Sequence, residues 1–211
     1  MTLVITSRFT FMSKASSVGR QRVIETAAMM LATRGLRGIS IREVAKAAQA
    51  PLGSTYHHFP EGKSQIVIEA IEWAGERAAS ELKACLSTNN ENGVRVFLEN
   101  WRNRLSKYSF QQGCPIVAAA IENSDDDEQN IKRAVSDAFS KWQDILCDYL
   151  LEQGHNEHYA HSLSLTIISS IEGAVVLCRG YQNLQPFDAI IATIPTLIAR
   201  KNSSDLRENN E

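Results

Sequence analysis

The run ISIREVAKAAQAPLGSTYHHFPEGK, from Ile39 to Lys63, constrains the chain more than any other stretch, because two helix starts and a helix stop fall inside it. Ser40 with Glu43 three positions on, flanked by Ile39 and Val44, forms a capping box with its hydrophobic staple. Ile41, Val44, Ala45 and Ala48 then recur at i, i+3, i+4 and i+7, one apolar stripe that leaves Arg42, Lys46 and Gln49 facing outward. Pro51 stops this helix and suits the first turn of the next, where its fixed φ is helical and its missing N–H would be unpaired anyway. The second helix carries Ser54, Thr55, Tyr56, His57 and His58, with no aliphatic stripe to bury. Two readings follow: a DNA-reading head, or an ordinary helical hairpin with an exposed polar second helix. Lys63 falls at the start of a longer helix, where an ammonium and free backbone N–H groups can meet one phosphate.

Charge favours the head. Residues 1–64 hold nine Lys and Arg against three acids, a net of +6, while residues 65–211 hold 13 against 21, a net of −8; the overall −2 conceals this division. Phosphate contacts need local cations whatever the total charge.

The same residues carry a resemblance. Ser40, Arg42, Gly53, Tyr56, His57, Phe59 and Lys63 match, in order and spacing, the DNA-binding domain of the TetR/AcrR family of bacterial transcriptional regulators. GSTYHHFPEGK, with GCPIVAAAIE at 113–122, looks most like the LmrA/YxaF-like subgroup. The resemblance implies an all-α fold: an N-terminal three-helix helix-turn-helix DNA-binding domain, then a C-terminal helical ligand-binding and dimerisation domain. It places Arg42 on a phosphate or base edge, Ser54, Thr55 and His57 toward the major groove, and Ser40, Tyr56 and Lys63 on phosphates, with Gly53 also in the DNA-binding set. It further implies a cytoplasmic, homodimeric repressor that binds a palindromic operator, needs no cofactor and is released by a small, largely apolar effector. Two residues depart from the family pattern: Gln49 stands at the usual turn glycine and Pro51 at a frequent Ser cap. A left-handed helix end at a non-glycine residue costs about 1 kcal/mol.

Around the head, the pattern divides the chain into an arm at 1–17, the head at 18–64, a helical body at 65–201 and a polar tail at 202–211. The arm is too short and too polar for a signal or membrane span; Met12 is an alternative start, and the basic Lys14–Arg20 run either touches DNA or is a disordered tail. The first helix is expected from Val18 to Arg34, stopped by Gly35, and a connecting helix from Lys63 to Leu86. Body helices are expected at 94–108, at 115–122, from a Ser124 or Asp125 cap to Leu151, at 157–181, and at 187–201 with an interruption or kink at Pro195. The 157–181 helix is apolar nearly all round, but Glu172 at its centre would cost about 2.5 kcal/mol in a bilayer, so no membrane is expected. The resemblance assigns that helix and the last one to a two-fold, four-helix dimer interface, with Ser169, Gly173, Val176, Ile190, Ile194 and Leu197 as its residues.

Trp101, Leu105, Tyr108, Phe110, Cys114, Ile116, Ala119, Phe139 and Trp142 form an aromatic-rich set on several helices, expected either to line an effector pocket or simply to fill the core. Glu172 and Arg179, seven apart on one face, either supply that pocket's polar contacts or pair at the interface. The cysteines Cys85, Cys114, Cys147 and Cys178 contain no CxxC pair, which favours free thiols in a reducing compartment. Two rival functions remain open: a metal or redox sensor on the same scaffold using His155, His158, His161 or the thiols, and a small enzyme built on Cys114. No metal site is expected; the acid run Asp125–Glu128 suits a helix start.

Overall fold

The computed structural model describes the backbone of residues 3–88, 92–122 and 127–200, with side chains from Val18 onward. Its regular structure is helical: α1 Leu3–Arg34, α2 Ile41–Ala47, α3 Leu52–His58, α4 Lys63–Thr88, α5 Gly93–Lys107, α6 Pro115–Ile121, α7 Glu128–Glu152, α8 Glu157–Tyr181 and α9 Gln185–Ala199. The arm expected at 1–17 has a helical backbone from Leu3, continuous with the helix expected from Val18. The tail at 202–211 and the expected caps Ser124 and Asp125 lie outside the described residues.

Local chemistry accounts for the head. α1 stops at Gly35, whose φ of +74° suits a residue without Cβ and whose N–H closes onto the Leu31 carbonyl at 3.0 Å. Ser40 is extended (φ −134°) and accepts the Glu43 N–H at 3.3 Å, while its hydroxyl donates to Glu43 Oε2 at 2.8 Å. The capping box therefore closes side chain to side chain; Glu43 does not reach back to a backbone N–H. Ile39 and Val44 are buried, as a staple requires.

The end of α2 is left-handed without glycine. Gln49 has φ +52°, with the Ala50 N–H on the Ala45 carbonyl at 2.9 Å and the Gln49 N–H on that of Lys46 at 3.1 Å, the bond pair of a Schellman motif. Arg22 donates to the Gln49 carbonyl at 3.2 Å and so ties the strained turn to α1. Pro51 sits one residue before α3, at its N-cap, where its carbonyl accepts both the N–H and the hydroxyl of Thr55, each at 3.0 Å.

No linker separates head from body, because α4 packs on both α1 and α7. At Gly75 a Cβ would lie 2.8 Å from that of Ala138, so this glycine lets α4 and α7 approach closely. Trp142 takes advantage of the approach and donates its indole N–H to the Gly75 carbonyl at 2.9 Å. α8 lies against α7 and α9, and α9 runs without interruption through Pro195. By length and composition alone α8 would suffice to cross a membrane, yet Ile167, Ile171, Val175 and Cys178 are buried within the body.

Candidate nucleic-acid interface and effector pocket

α3 is anchored by one narrow stripe. Phe59 is fully buried and Thr55 is 1 % exposed, and the two lie at i and i+4. Gly53, Ser54, Tyr56 and His57 are exposed and His58 partly so; Arg42 on α2 is exposed, while Ser40 and Lys63 are partly exposed. Thr55 is a correction to the expected groove-facing set, since its hydroxyl is spent on the Pro51 carbonyl and its methyl is packed inside. Arg42, Lys46 and Lys63 make no ion pair among the described residues. Arg20 instead pairs with Glu69 at 2.6 Å and covers the Phe59 ring at 5.0 Å, tying α1 to α4 behind the exposed face. The result is a short polar helix held at one edge, surrounded by unneutralised cations, with Lys63 at the first turn of α4.

Behind this face the body grips the head through α6. The Gly113 N–H donates to the Ala32 carbonyl at 2.8 Å, before α6, and the Glu122 carboxylate, after it, accepts the Leu36 and Arg37 N–H groups at 3.1 and 2.9 Å. A Cβ at Gly35 would collide with that carboxylate. Glu122→Ala is expected to cost about 2 kcal/mol, because two charge-assisted bonds disappear and the partly buried Leu36 N–H loses its acceptor. For a chain of this length that lowers Tm by roughly 4–8 °C in calorimetry; an unchanged Tm would mean that the grip adds nothing to stability.

A cavity of about 270 Å³ opens between α1, α4 and α5. Ala28, Met29 and Ala32 form its head wall, Trp73, Ala74, Arg77 and Ala78 its α4 wall, and Trp101, Leu105 and Tyr108 its α5 wall. Of the expected pocket residues only Trp101, Leu105 and Tyr108 reach it. Cys114, Ile116, Ala119 and Trp142 are packed in the core, Phe139 stands edge-on to Trp142 with ring centroids 5.5 Å apart, and Phe110 (φ +60°) packs half-buried against the same core. The large side chains of the expected set therefore fill the body, and the open space lies nearer the head, where alanines on α1 and α4 leave it. A wider, shallow groove of about 640 Å³ between α4 and α7 is rimmed by Lys83, Lys141, Asp144, Asp148 and Glu152, charges of both signs.

Glu172 is buried against the Cys114 thiol, and burial pushes its pKa up to about 7, with the thiol contact opposing the shift. The Cys114 thiol faces it, and burial together with that carboxyl drives the thiol well above its ordinary range. Nucleophilic thiols need the opposite environment, so the structure lends no support to Cys114 as a catalytic group. Arg179 does not pair with Glu172; it reaches the Gln111 carbonyl at 3.5 Å. The histidines diverge as well: His155 Nε2 meets the Ile198 carbonyl at 2.8 Å, and His161 lies beside the Gln143 amide at 3.2 Å. Among the described residues no three metal-donor side chains gather.

Leu165, Ser169, Gly173, Val176, Leu177 and Gly180 form a continuous exposed stripe along α8, ending at Tyr181, which is 64 % exposed. Ala189, Ala192, Thr193 and Thr196 give α9 a matching exposed face of small side chains. Ile194, expected at the interface, is 2 % exposed and belongs to the protomer's own core. Ile190 and Leu197 are partly buried against that core. The small-residue face of α9, missed in the sequence, was marked by Ala and Thr at helical spacing opposite the isoleucines.

Comparison with known proteins agrees with this architecture. Residues 23–70 match the family described as bacterial regulatory proteins, tetR family, and residues 91–193 match the transcriptional regulator LmrA/YxaF-like C-terminal domain. The chain is 30% identical over 187 residues to the HTH-type transcriptional regulator Rv0196 of Mycobacterium tuberculosis, covering 85% of this chain and 93% of that protein. It is 29% identical over 185 residues to the HTH-type transcriptional regulator LmrA of Bacillus subtilis, covering 86% and 97%. Among solved structures, the regulatory protein TetR from Rhodobacter sphaeroides superposes with a TM-score of 0.75 at 19% identity, covering 85% of this chain and 98% of that one. The chain belongs to the TetR family of bacterial DNA-binding transcriptional regulators, with a body of the LmrA/YxaF-like type.

Proposed function

We propose that this chain is a cytoplasmic repressor that binds a palindromic operator as a homodimer and is released by a small molecule. The observation that carries the reading is the outward face of α3, whose exposed Gly53, Ser54, Tyr56 and His57 sit among unpaired cations and have no role in packing. Ser54 and His57 read base edges, Arg42 meets a phosphate or base edge, and Ser40, Tyr56 and Lys63 hold the backbone. The head comprises residues 18–64 and the body 65–201, with α4 crossing between them. Dimerisation through the exposed faces of α8 and α9 sets the spacing of two heads, and a ligand that prefers another spacing lowers operator affinity by its difference in affinity for the two states.

The test is operator binding by a Tyr56→Ala, Lys63→Ala double variant, both positions lying at the surface. Affinity is expected to fall at least tenfold for all sequences alike, and the slope of log K against log salt to shrink by about 2, since each of two heads loses one phosphate-bound lysine. Normal binding by this variant would refute the assignment.

A further inference from the structure

We propose that Arg22 is a positioning residue for operator recognition: from α1 it holds the left-handed turn at Gln49 and so sets the angle at which α3 enters the groove. This rests on the reading of α3 as the helix that meets the operator, and it names a residue outside the DNA-facing set on which that reading depends. α3 has little of its own to fix its direction. It is seven residues long, Thr55 is its buried residue, and Phe59 just beyond it completes the anchor. Its direction is therefore set at its two ends, and α1 reaches both with an arginine. Beyond the last turn, Arg20 covers the Phe59 ring at 5.0 Å, its charge balanced by Glu69 at 2.6 Å. Before the first turn, the Arg22 Nη2 donates to the Gln49 carbonyl at 3.2 Å, and Arg22 has no carboxylate partner among the described residues. Helix positions two apart point to different sides, which lets each arginine serve a different end.

The turn needs holding because of the residue that stands there. Gln49 has φ +52°, a region that glycine enters freely and a residue with a Cβ does not. A glutamine there favours right-handed conformations, and each excursion toward them swings Pro51 and α3 about the end of α2. The bonds from the Gln49 and Ala50 N–H groups to the Lys46 and Ala45 carbonyls close the turn from within α2. Arg22 fixes it from outside, on a carbonyl at the negative end of α2 where a cation is favoured. Arg22 and Gln49 are both exposed, so neither is required by the core. The two positions are coupled: the arginine matters because residue 49 is not glycine.

The experiment measures binding of the full-length protein to an operator duplex selected from a random pool and to an unrelated duplex, for wild type, Arg22→Gln, Gln49→Gly and the double variant. In Arg22→Gln the ratio of operator to unrelated affinity is expected to fall about tenfold, because each of two heads loses a charge-assisted bond. Gln49→Gly alone should stay within about twofold of wild type, since glycine adopts the turn unaided. The double variant should recover to within about twofold as well, although the positive charge is still missing. Circular dichroism should stay native throughout, both positions being exposed. A ratio untouched by Arg22→Gln overturns the proposal, and so does a loss that Gln49→Gly fails to repair. Equal weakening on both duplexes, with a slope of log K against log salt smaller by about 2, makes Arg22 a phosphate contact instead. Lost affinity in Gln49→Gly alone makes the Gln49 side chain the contact and overturns it too. If the wild type selects no operator, the reading of α3 fails and takes the proposal with it; if it selects one and the ratios do not follow, the proposal alone fails.

Discussion

Gly173→Glu is expected to turn the protein into a folded monomer that has lost operator affinity by more than 100-fold. Gly173 is exposed on α8 and nothing lies within 4 Å of the position a Cβ would take, so the protomer accommodates the new side chain without strain. In the dimer the same carboxylate would be pressed between two copies of an apolar face containing Leu165, Val176 and Leu177, and an unpaired buried charge there costs several kcal/mol. A lone seven-residue α3 reaches only a few base pairs, so specificity depends on two heads held together. Ile194→Glu makes the contrast: that side chain is 2 % exposed inside one protomer, so the charge unfolds the body. Sedimentation and circular dichroism at micromolar concentration separate the two results; a dimeric Gly173→Glu protein would place the interface elsewhere.

The second large effect is a pH dependence of stability centred on Glu172, raised by burial from an ordinary value of 4.5 to about 7. Below about pH 4.5 the carboxyl is protonated in both the folded and unfolded chain and contributes no penalty. Between that point and about 7 the unfolded chain gives up its proton while the folded one keeps it, so stability falls as pH rises through this window. Above about pH 7 the whole cost is present, about 3 kcal/mol. Glu172→Gln removes the ionisation and leaves a neutral amide in the same space, so Tm at pH 8 should rise toward its value at pH 5 and this component of the pH slope should vanish. A slope identical in wild type and Glu172→Gln would show that Glu172 is not the group responsible.

Most helices were legible because apolar residues recur at helical spacing and end at recognisable stops; Lys63–Thr88 and Glu157–Tyr181 fall close to where Val67, Ile71 and Leu82, or Leu163 to Cys178, place them. Periodicity shows that a face is apolar and is silent on what covers it. Hence its pattern points Ile194 at a partner although its own protomer encloses it, and Thr55 at the groove although Pro51 holds it inward. A cavity escapes the sequence for a related reason: large residues such as Trp142 and Phe139 stand out, while space arises where Ala28, Ala32, Ala74 and Ala78 fail to fill it. The Glu122 grip had no local signature at all: its partners Leu36 and Arg37 lie 86 and 85 positions away and offer backbone groups that any residue has.

The central claim, that two copies of α3 read one palindrome, is tested most directly by selecting duplexes bound by the full-length protein from a random pool. The account predicts enrichment of a two-fold symmetric site, its half-sites centred about 34 Å apart or moderately more, with His57→Ala altering the preferred bases within each half-site. Absence of enrichment, or an asymmetric site unaffected by His57→Ala, would contradict it.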